Sequence, residues 1–317
     1  MLLALLLLGF TIAAAIRPTV DRLARFRIPR PVGVFLHFAA FLGVLALFAW
    51  FVVPTLSDQV QNAIDASRTV GAASGDSFKE RMLDLLARKL HHFSAPSHLF
   101  HPALTIGEQA LKVLVGVLFT FAVAAYWIFE RDRTVDFVAS FLPREKRKTL
   151  RDAWTLIDQK LGAFFRGELV LVIFVSALAA IAFFFIGVPY WLLLAIATGI
   201  LEIVPVVGPL AAFVVVVGAG LTVSWHTAAY AGAALLAIRL VEDYTVTPRV
   251  LGGAVGLPPL LTLVSVSVVG VLLGGFYILL SIPIASLIAT VVDVVVRGVD
   301  PAEVEVPAVL FPPPDAR

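Results

Sequence analysis

The chain has 317 residues, of which 60% are apolar and only 15% are charged, and its mean hydropathy is +0.97. Soluble domains are about half apolar and a quarter charged, so this composition indicates an integral membrane protein. The formal net charge is +2 and cysteine is absent. These two facts argue against a nucleic-acid-binding protein, a disulfide scaffold and a cysteine-based metal site.

Residues 1–54 contain two apolar runs, which we interpret as two N-terminal membrane helices joined by a basic loop. The first run, Leu2 to Ile16, is shorter than the ~20 residues of a typical span. No basic residue precedes it, so a membrane helix is favoured over a signal peptide. The basic loop extends from Arg17 to Pro31, and Val32 to Val53 forms the second span.

Residues 55–103 form the one extramembrane region that the sequence predicts. Apolar residues recur at helical spacing from Ser77 to Phe93, which predicts an amphipathic helix on the membrane surface or on a neighbouring subunit. No carboxylate lies at ligand spacing beside the histidines of this region, so we expect loop histidines, with a metal site as the alternative. These histidines are His91, His92, His98 and His101.

Residues 104–167 combine a third span, Leu104 to Phe129, with a strongly basic segment. Nine basic residues lie between Arg131 and Arg166. Basic residues concentrate on the cytoplasmic side of membrane helices, so we expect this segment and the Arg17–Pro31 loop to be cytoplasmic. The region 55–103 is then external.

Residues 168–296 are predicted to form the transport core, with a span from Leu169 to Ile186 and two interrupted apolar segments. Gly187 to Val217 is interrupted near Pro205, and Gly256 to Val292 near Gly274. Paired interruptions point to a transporter's binding site, because freed backbone is tolerated only within protein or beside a wet cavity. Either both segments are hairpins that enter the membrane from opposite faces, or the second half of the second segment spans the membrane alone. The residues predicted to shape the breaks and the path are Pro205, Gly208, Pro209, Pro248, Gly252, Gly256, Pro258, Gly274, Gly275 and Pro283.

Four charged residues lie in this core: Glu202, Arg239, Glu242 and Asp243. An ionised carboxylate is costly in hydrocarbon, so Glu202 must face a partner, a cavity or water. With carbonyls freed by the proline break it would form an oxygen site for a cation such as sodium; otherwise it caps a helix end. Arg239, Glu242 and Asp243 share a helix face. Either they form an internal salt bridge, or one of the two acids is left to take up a proton or cation.

Motifs for other chemistry are absent from the sequence. There is no Gly-Lys-Ser/Thr phosphate loop, no His-Glu-x-x-His and no Gly-x-Ser-x-Gly. We therefore expect neither ATP-driven transport nor an enzyme, and no cofactor or bound metal. The last stretch, residues 297–317, ends in VPAVLFPPPDAR and predicts a disordered tail.

Several motifs, in this order along the chain, resemble the autoinducer-2 exporter family of polytopic membrane proteins. They are WIFERDRTVDFVASFLPREKR from Trp127, ILEIVPVVGPL from Ile200, LVEDYTVTPRVLGGAVGLPPLL from Leu240 and GGFYILLSIPIASLI from Gly274. The resemblance implies a multi-pass transporter of the bacterial plasma (inner) membrane that works as a homo-oligomer, with a pentamer as one form. It implies the lipid bilayer and either a small polar solute or sodium and protons as partners.

Taken together, these observations predict an all-α polytopic membrane protein of about seven to eight membrane segments. Two of the segments are Gly/Pro-broken hairpins that meet near mid-membrane. The expected function is secondary transport that exports a small polar signal or metabolite. The alternatives are sodium/proton antiport and a non-transporting membrane scaffold that uses the external amphipathic helix.

The predicted topology can be tested by labelling single cysteines, because the natural chain has none. An impermeant thiol reagent added outside intact cells should label Ser67→Cys and should leave Ser140→Cys unlabelled. Permeabilised cells provide the control, since both cysteines should then react. Labelling of Ser140→Cys but not Ser67→Cys in intact cells would reverse the predicted orientation.

Overall fold

The structure, a computed structural model, describes residues 2–44, 46–47, 50, 102–204, 207–250 and 257–306. Over these ranges the regular structure is helical, without a strand. Three of the described helical stretches are long and apolar enough to cross a membrane: Leu2–Arg25, Leu114–Ser140 and Arg144–Ile186. The prediction of an all-α polytopic membrane protein is confirmed. The predictions for the amphipathic helix, for His91, His92, His98 and His101, and for Pro205, Gly252 and Gly256 fall outside the described residues.

The chain divides into two compact units, each assembled from separate stretches of sequence. The first contains Met1–Phe41, Leu114–Leu171 and Asp243–Arg317, and the second contains Leu42–Val113 and Val172–Glu242. The sequence-based blocks, which end at residues 54, 103, 167 and 296, follow chain order and remain a prediction. In chain order the described elements are α1 (Leu2–Arg25), α2 (Arg30–Val44), α3 (Pro102–Ser140), α4 (Arg144–Ile186), α5 (Trp191–Glu202), α6 (Val207–Leu221), α7 (Trp225–Val241), a π-helical turn (Glu242–Val246), α8 (Thr247–Val250), α9 (Pro259–Leu273), a 3-10 helix (Gly275–Leu280) and α10 (Ser281–Val295).

The N-terminal part of the first unit differs from the predicted basic loop at Arg17–Pro31. Helix α1 continues through most of that stretch, and only residues 26–29 separate it from α2. Arg17 and Asp21 form an ion pair of 3.6 Å at i,i+4 spacing, and Asp21 also contacts Arg30 at 3.2 Å. Paired charges at this spacing favour the helix beyond its apolar run. Both helices pack on α3 through a core of Ala13, Val20, Val34, Ala124 and Ile128.

The charged segment between Arg131 and Arg166 consists of the ends of two long helices rather than a loop. A turn of three residues separates α3 from α4, and α4 is 43 residues long. Arg151 of α4 donates to Asp136 of α3 at 2.7 Å, and Arg131 of α3 donates to Asp158 of α4 at 2.8 Å. Opposite charges therefore meet across the helix pair, which allows both helices to extend beyond their apolar parts.

The second unit contains the last part of α4 together with α5, α6 and α7. Helix α5 has 12 residues, or roughly 18 Å, and α6 has 15, so neither crosses a ~30 Å hydrocarbon core alone. Helix α6 packs against both α5 and α7. Buried apolar side chains from all four helices form the core of this unit: Val175, Phe183, Ala195, Val216, Ala231 and Leu235.

The first interrupted segment breaks between α5, which ends at Glu202, and α6, which begins at Val207. Gly208 and Pro209, which were predicted as parts of the break, lie instead in the first turn of α6. Proline is tolerated there because the N–H groups of a first turn have no partner within the helix. A Cβ at Gly208 would collide with the carbonyl oxygen of Leu201 in α5. The missing side chain at this position therefore sets how closely the two helices approach.

The second interrupted segment breaks at the predicted glycines. Helix α9 ends just before Gly274, whose φ of 96° lies in the left-handed region that favours glycine. The 3-10 helix that begins at Gly275 leads into α10, and α9 packs against α10. Pro258 precedes α9 as its N-cap residue, and Pro283 lies buried in the first turn of α10. The entry of the two hairpins from opposite faces stays a prediction.

The structure also differs from the predicted disordered tail over residues 297–306. The N–H of Ala302 donates to Oδ1 of Asp300 at 2.9 Å, which forms a turn. Val306 packs on the buried Ala163 of α4. A turn and an apolar contact therefore order this stretch, and residues 307–317 lie outside the described part of the chain.

We expect Gly208→Ala to destabilise the protein, because the added Cβ must displace the carbonyl group of Leu201. Overpacking of this kind costs about 1–3 kcal/mol. Gly218→Ala in the same helix is the matched control, since no atom lies within 4 Å of a Cβ at that position. The control should be neutral or slightly stabilising. Thermal unfolding of both purified variants measures the difference, and equal midpoints would contradict the close approach of α5 and α6.

Candidate functional site

A cluster of three charged residues lies in the second unit, where α5 and α7 both end. Glu202 is the last residue of α5, Arg239 lies in the last turn of α7, and Glu242 follows α7 directly. The Nη1 atom of Arg239 donates to Oε1 of Glu202, and to Oε1 and Oε2 of Glu242 at 3.4 and 3.2 Å. One guanidinium thus joins carboxylates from two elements, and we name these residues the Arg239 cluster.

The two carboxylates of the cluster are more deeply buried than its cation. The side chain of Glu202 is 8% exposed and that of Glu242 is 4% exposed, whereas that of Arg239 is 37% exposed. Burying a carboxylate is costly unless a cation and hydrogen bonds compensate for the lost water. Arg239 supplies both, and its place at the C-terminal end of α7 also sets a positive charge against the negative end of the helix dipole.

A cavity of about 420 Å³ lies beside the Arg239 cluster, and all three of its side chains line it. Thr198, one turn before Glu202 in α5, also lines the cavity and donates to the carbonyl oxygen of Leu194 at 2.7 Å. The volume falls within the ~300–1,000 Å³ range of small-molecule sites. The rest of the lining is mostly apolar: Val175, Pro209, Leu210, Ala212, Phe213, Leu235, Leu236 and Ile238.

The backbone around Glu202 differs from the predicted set of free carbonyl groups. The carbonyl of Leu201 accepts from the N–H of Val204 at 3.0 Å, and that of Ile200 accepts from Ile203 at 3.3 Å. A tightened last turn thus supplies donors that the regular helix no longer provides. Among the described residues, the carbonyl groups of Ile200 and Leu201 are thus engaged, whereas the two carboxylates supply oxygen atoms beside the cavity.

Asp243 is exposed, in contrast to Glu242, its neighbour in the predicted group of charges. The prediction assumed α-helical spacing for Arg239, Glu242 and Asp243, but the chain forms a π-helical turn from Glu242 to Val246. A π turn holds more residues than an α turn, so the spacing rule for one helix face fails there. Glu242 is buried against Arg239, whereas Asp243 is exposed and belongs to the first unit. Glu202 shares Arg239 with Glu242.

The structure brings only part of the predicted path residues to this site. Pro209 lines the cavity, and Gly208 lies against the last turn of α5, where its Cβ position is 3.5 Å from the backbone nitrogen of Glu202. The remaining described path residues belong to the first unit: Pro248, Pro258, Gly274, Gly275 and Pro283. Thr198 was missed, although its position four residues before Glu202 places it on the same helix face.

A second charged cluster, in the first unit, was also missed from the sequence. Arg131 of α3 donates to Asp158 at 2.8 Å, to Thr155 at 2.9 Å and to Asp132 at 2.9 Å. Arg17 of α1 contacts Asp132 at 3.4 Å and Asp158 at 3.9 Å. The excess of basic residues in this segment suggested charges at the membrane boundary. The few acidic residues among them were the available sign that ion pairs form here.

The amino-acid sequence was compared with those of known proteins, and the comparison identifies a family. The sequence profile described as "AI-2E family transporter" matches residues 1–297. A protein of Methanothermobacter thermautotrophicus is 26% identical over 215 residues, which cover 66% of this chain and 63% of that protein. The chain thus spans less than two thirds of that relative's length.

Two bacterial relatives align over longer stretches. A Bacillus subtilis protein, YueF, is 22% identical over 85% of this chain and 78% of its own length. A Mycobacterium tuberculosis protein, MT0215, is 25% identical over 92% of this chain and 82% of its own. All three relatives carry names that begin "Putative transport protein". The profile match over residues 1–297, together with the long apolar helices, shows that this chain is an integral membrane protein and belongs to the AI-2E family of transporters.

Proposed function

We propose that this protein is a secondary transporter in which the Arg239 cluster binds the coupling proton or cation. The observation that carries the proposal is the sharing of one guanidinium by two buried carboxylates beside a cavity. Two carboxylates so close to one another ionise as a coupled set, because like charges oppose each other. Uptake of a proton or a monovalent cation at one of them relieves that repulsion.

The geometry supports an exchange of partners within the cluster. Nη1 of Arg239 reaches both carboxylates at once, so neutralising Glu202 leaves the guanidinium to Glu242. Glu202 sits at the end of α5 and Glu242 at the end of α7, so this shift changes the attraction between two helix ends. Binding of a proton or cation at Glu202 would thereby change the packing of α5 against α7. A link of this kind between binding and helix position is what coupled transport requires.

The cavity beside the cluster is suited to a small solute that is exported in exchange for the bound ion. Its walls are mostly apolar, and its polar groups converge where Thr198, Glu202, Arg239 and Glu242 meet. Sites for small molecules combine apolar walls with a few convergent polar groups in this way. We therefore propose a small polar signal or metabolite as the cargo, exported across a bacterial plasma membrane by a homo-oligomer that has no enzymatic activity.

Sodium/proton antiport is the second candidate, and the same cluster favours it. Carboxylate oxygens are suitable ligands for a hard cation such as sodium, and the antiporter needs no organic cargo. A non-transporting scaffold is less well supported. Buried carboxylates beside a cavity are costly to maintain and would have no role in a scaffold.

Reconstitution into liposomes, with separate readouts for pH, sodium and organic solute, tests the proposal. Glu202→Gln should abolish coupled transport, because the amide keeps the shape and hydrogen-bonding capacity of the side chain but binds neither a proton nor a cation. Glu130→Gln is the matched control, since Glu130 accepts from Arg133 at 3.2 Å in an exposed i,i+3 pair. The control should transport at the wild-type rate. Wild-type coupling in Glu202→Gln would leave the cluster with a structural role only.

A second test compares two adjacent acids that the structure separates. Glu242→Gln should impair coupled transport in the same way as Glu202→Gln, because both side chains share Arg239. Asp243→Asn should have the smaller effect, since Asp243 is exposed to solvent whereas Glu242 is buried beside the cavity. Initial transport rates against pH measure both effects. Loss of transport in Asp243→Asn alone would support the spacing inferred from the sequence and contradict the cluster described above.

A further inference from the structure

Helix α10, the second half of the second interrupted segment, is joined to α4 by a polar contact within the first unit. The Nζ atom of Lys160 in α4 donates to Oγ1 of Thr290 at 3.0 Å. Thr290 is 1% exposed, and its hydroxyl donates in turn to the carbonyl oxygen of Ser286 at 2.8 Å. A long side chain from α4 therefore reaches a buried hydroxyl of α10.

A cavity of about 660 Å³ between α1, α3, α4 and α10 begins next to this contact. Leu161 and Val291, the chain neighbours of Lys160 and Thr290, both line it. The lining along α4 extends from Leu161 back to Lys146, whereas along α10 it extends forward from Val291 to Val294 and Val295. The two helices therefore run in opposite directions along the cavity, and bulky side chains of α10 face this space.

The buried side of α10 consists of compact residues. They are Ser281, Pro283, Ser286 and Thr290. Packed helices are held in register when large side chains of one helix form ridges that fit into grooves of the other. A buried side without such ridges, next to a cavity, offers little resistance to a shift of α10 along its own axis.

A second acceptor for Lys160 lies one helical turn further along α10. Asp293 follows Thr290 by three residues, so the two side chains are neighbours on the helix surface. The carboxylate of Asp293 already attracts Lys160, although it is paired with the exposed Arg297 at 2.9 Å. Exposed pairs at i,i+4 spacing are weak. Asp293 can therefore exchange Arg297 for Lys160 at little cost.

Both ends of α10 can accommodate such a shift. Bringing Asp293 to the position of Thr290 moves α10 by three residues, or roughly 4.5 Å, towards its N-terminal end. The 3-10 helix before α10 has six residues, and its conversion to α-helix would shorten it by roughly 3 Å. After α10 the chain is not helical from Gly298 to Val306, which packs near Ala163, so this stretch can extend.

We propose that Lys160 is a positioning residue that holds α10 at either of two places along α4. Its partner is Thr290 in this structure and Asp293 after a shift of one turn. Shifts of one helical turn between packed elements occur in known switching proteins. This role rests on the proposed transport function, because moving one half of a broken segment opens or closes a path.

Distances between two spin labels test this role in the full-length protein, whose natural chain has no cysteine. Leu169→Cys in α4 and Val296→Cys after α10 are both at exposed positions. They place the labels on opposite sides of the Lys160 contact, roughly 22 Å apart along the helices. Pulsed electron paramagnetic resonance should show this distance as the main population, with a second population about 4–5 Å shorter.

Two variants should shift these populations in opposite directions. Arg297→Gln frees Asp293 and should raise the shorter population up to about fivefold, the effect of losing one exposed ion pair. Asp293→Asn removes the charged acceptor and should remove the shorter population. Glu303→Gln is the matched control, since it neutralises an exposed acid in the segment after α10, and it should change neither population.

The same distances in Arg297→Gln as in Glu303→Gln would overturn the role of Lys160, as would a single distance in the wild type and every variant. Thr290→Val provides an independent check, because loss of the hydroxyl should favour the shorter distance, and its unfolding midpoint shows whether the protein still folds. The distance measurement needs no cargo. Two distances without transport in liposomes would therefore contradict the proposed function alone, and transport with one distance would contradict the movement of α10 alone.

Discussion

The guanidinium of Arg239 is the contact on which the polar interior of the second unit depends. Glu202 and Glu242 are almost completely buried, and hydrocarbon provides no donor for their oxygens. Arg239 places a positive charge between the two carboxylates beside a mostly apolar cavity, which compensates for part of the cost of burying them at the ends of α5 and α7. In the proposed mechanism, a proton or cation would therefore act on the same contact that compensates for burying the two carboxylates.

Packing in both units relies on positions where no side chain is present. A Cβ would collide with the carbonyl of Ala14 at Gly162, with Oγ of Ser176 at Gly199 and with the carbonyl of Leu201 at Gly208. In lipid, helices gain little by burying apolar surface, so close backbone approach and dispersion forces must hold them together. These glycines therefore permit close helix packing. Gly274 has a different role, because it permits the left-handed backbone conformation at the break before the 3-10 helix.

The sequence predicts those parts of the molecule that follow from local composition. Apolar runs locate the helices, and glycine locates the break at Gly274. Pairings between distant residues were not predictable in this way. The bond between Arg239 and Glu202 joins residues 37 positions apart, and the bond between Arg131 and Asp158 joins residues 27 apart. The π turn after α7 was not predictable either, because no residue type marks it.

The contact between α1 and Arg166 of α4 has a consequence for the order of biosynthesis. Pro18 has no N–H, so the carbonyl of Ala14, four residues earlier, has no helical donor, and this part of α1 lies against α4. Arg166 of α4 donates to the carbonyl of Ala15 at 2.9 Å, and it follows that residue by 151 positions. A ribosome adds about 5–20 residues per second, so roughly ten seconds pass before the donor exists. During that interval the nascent first helix lacks the contact that ties it to α4.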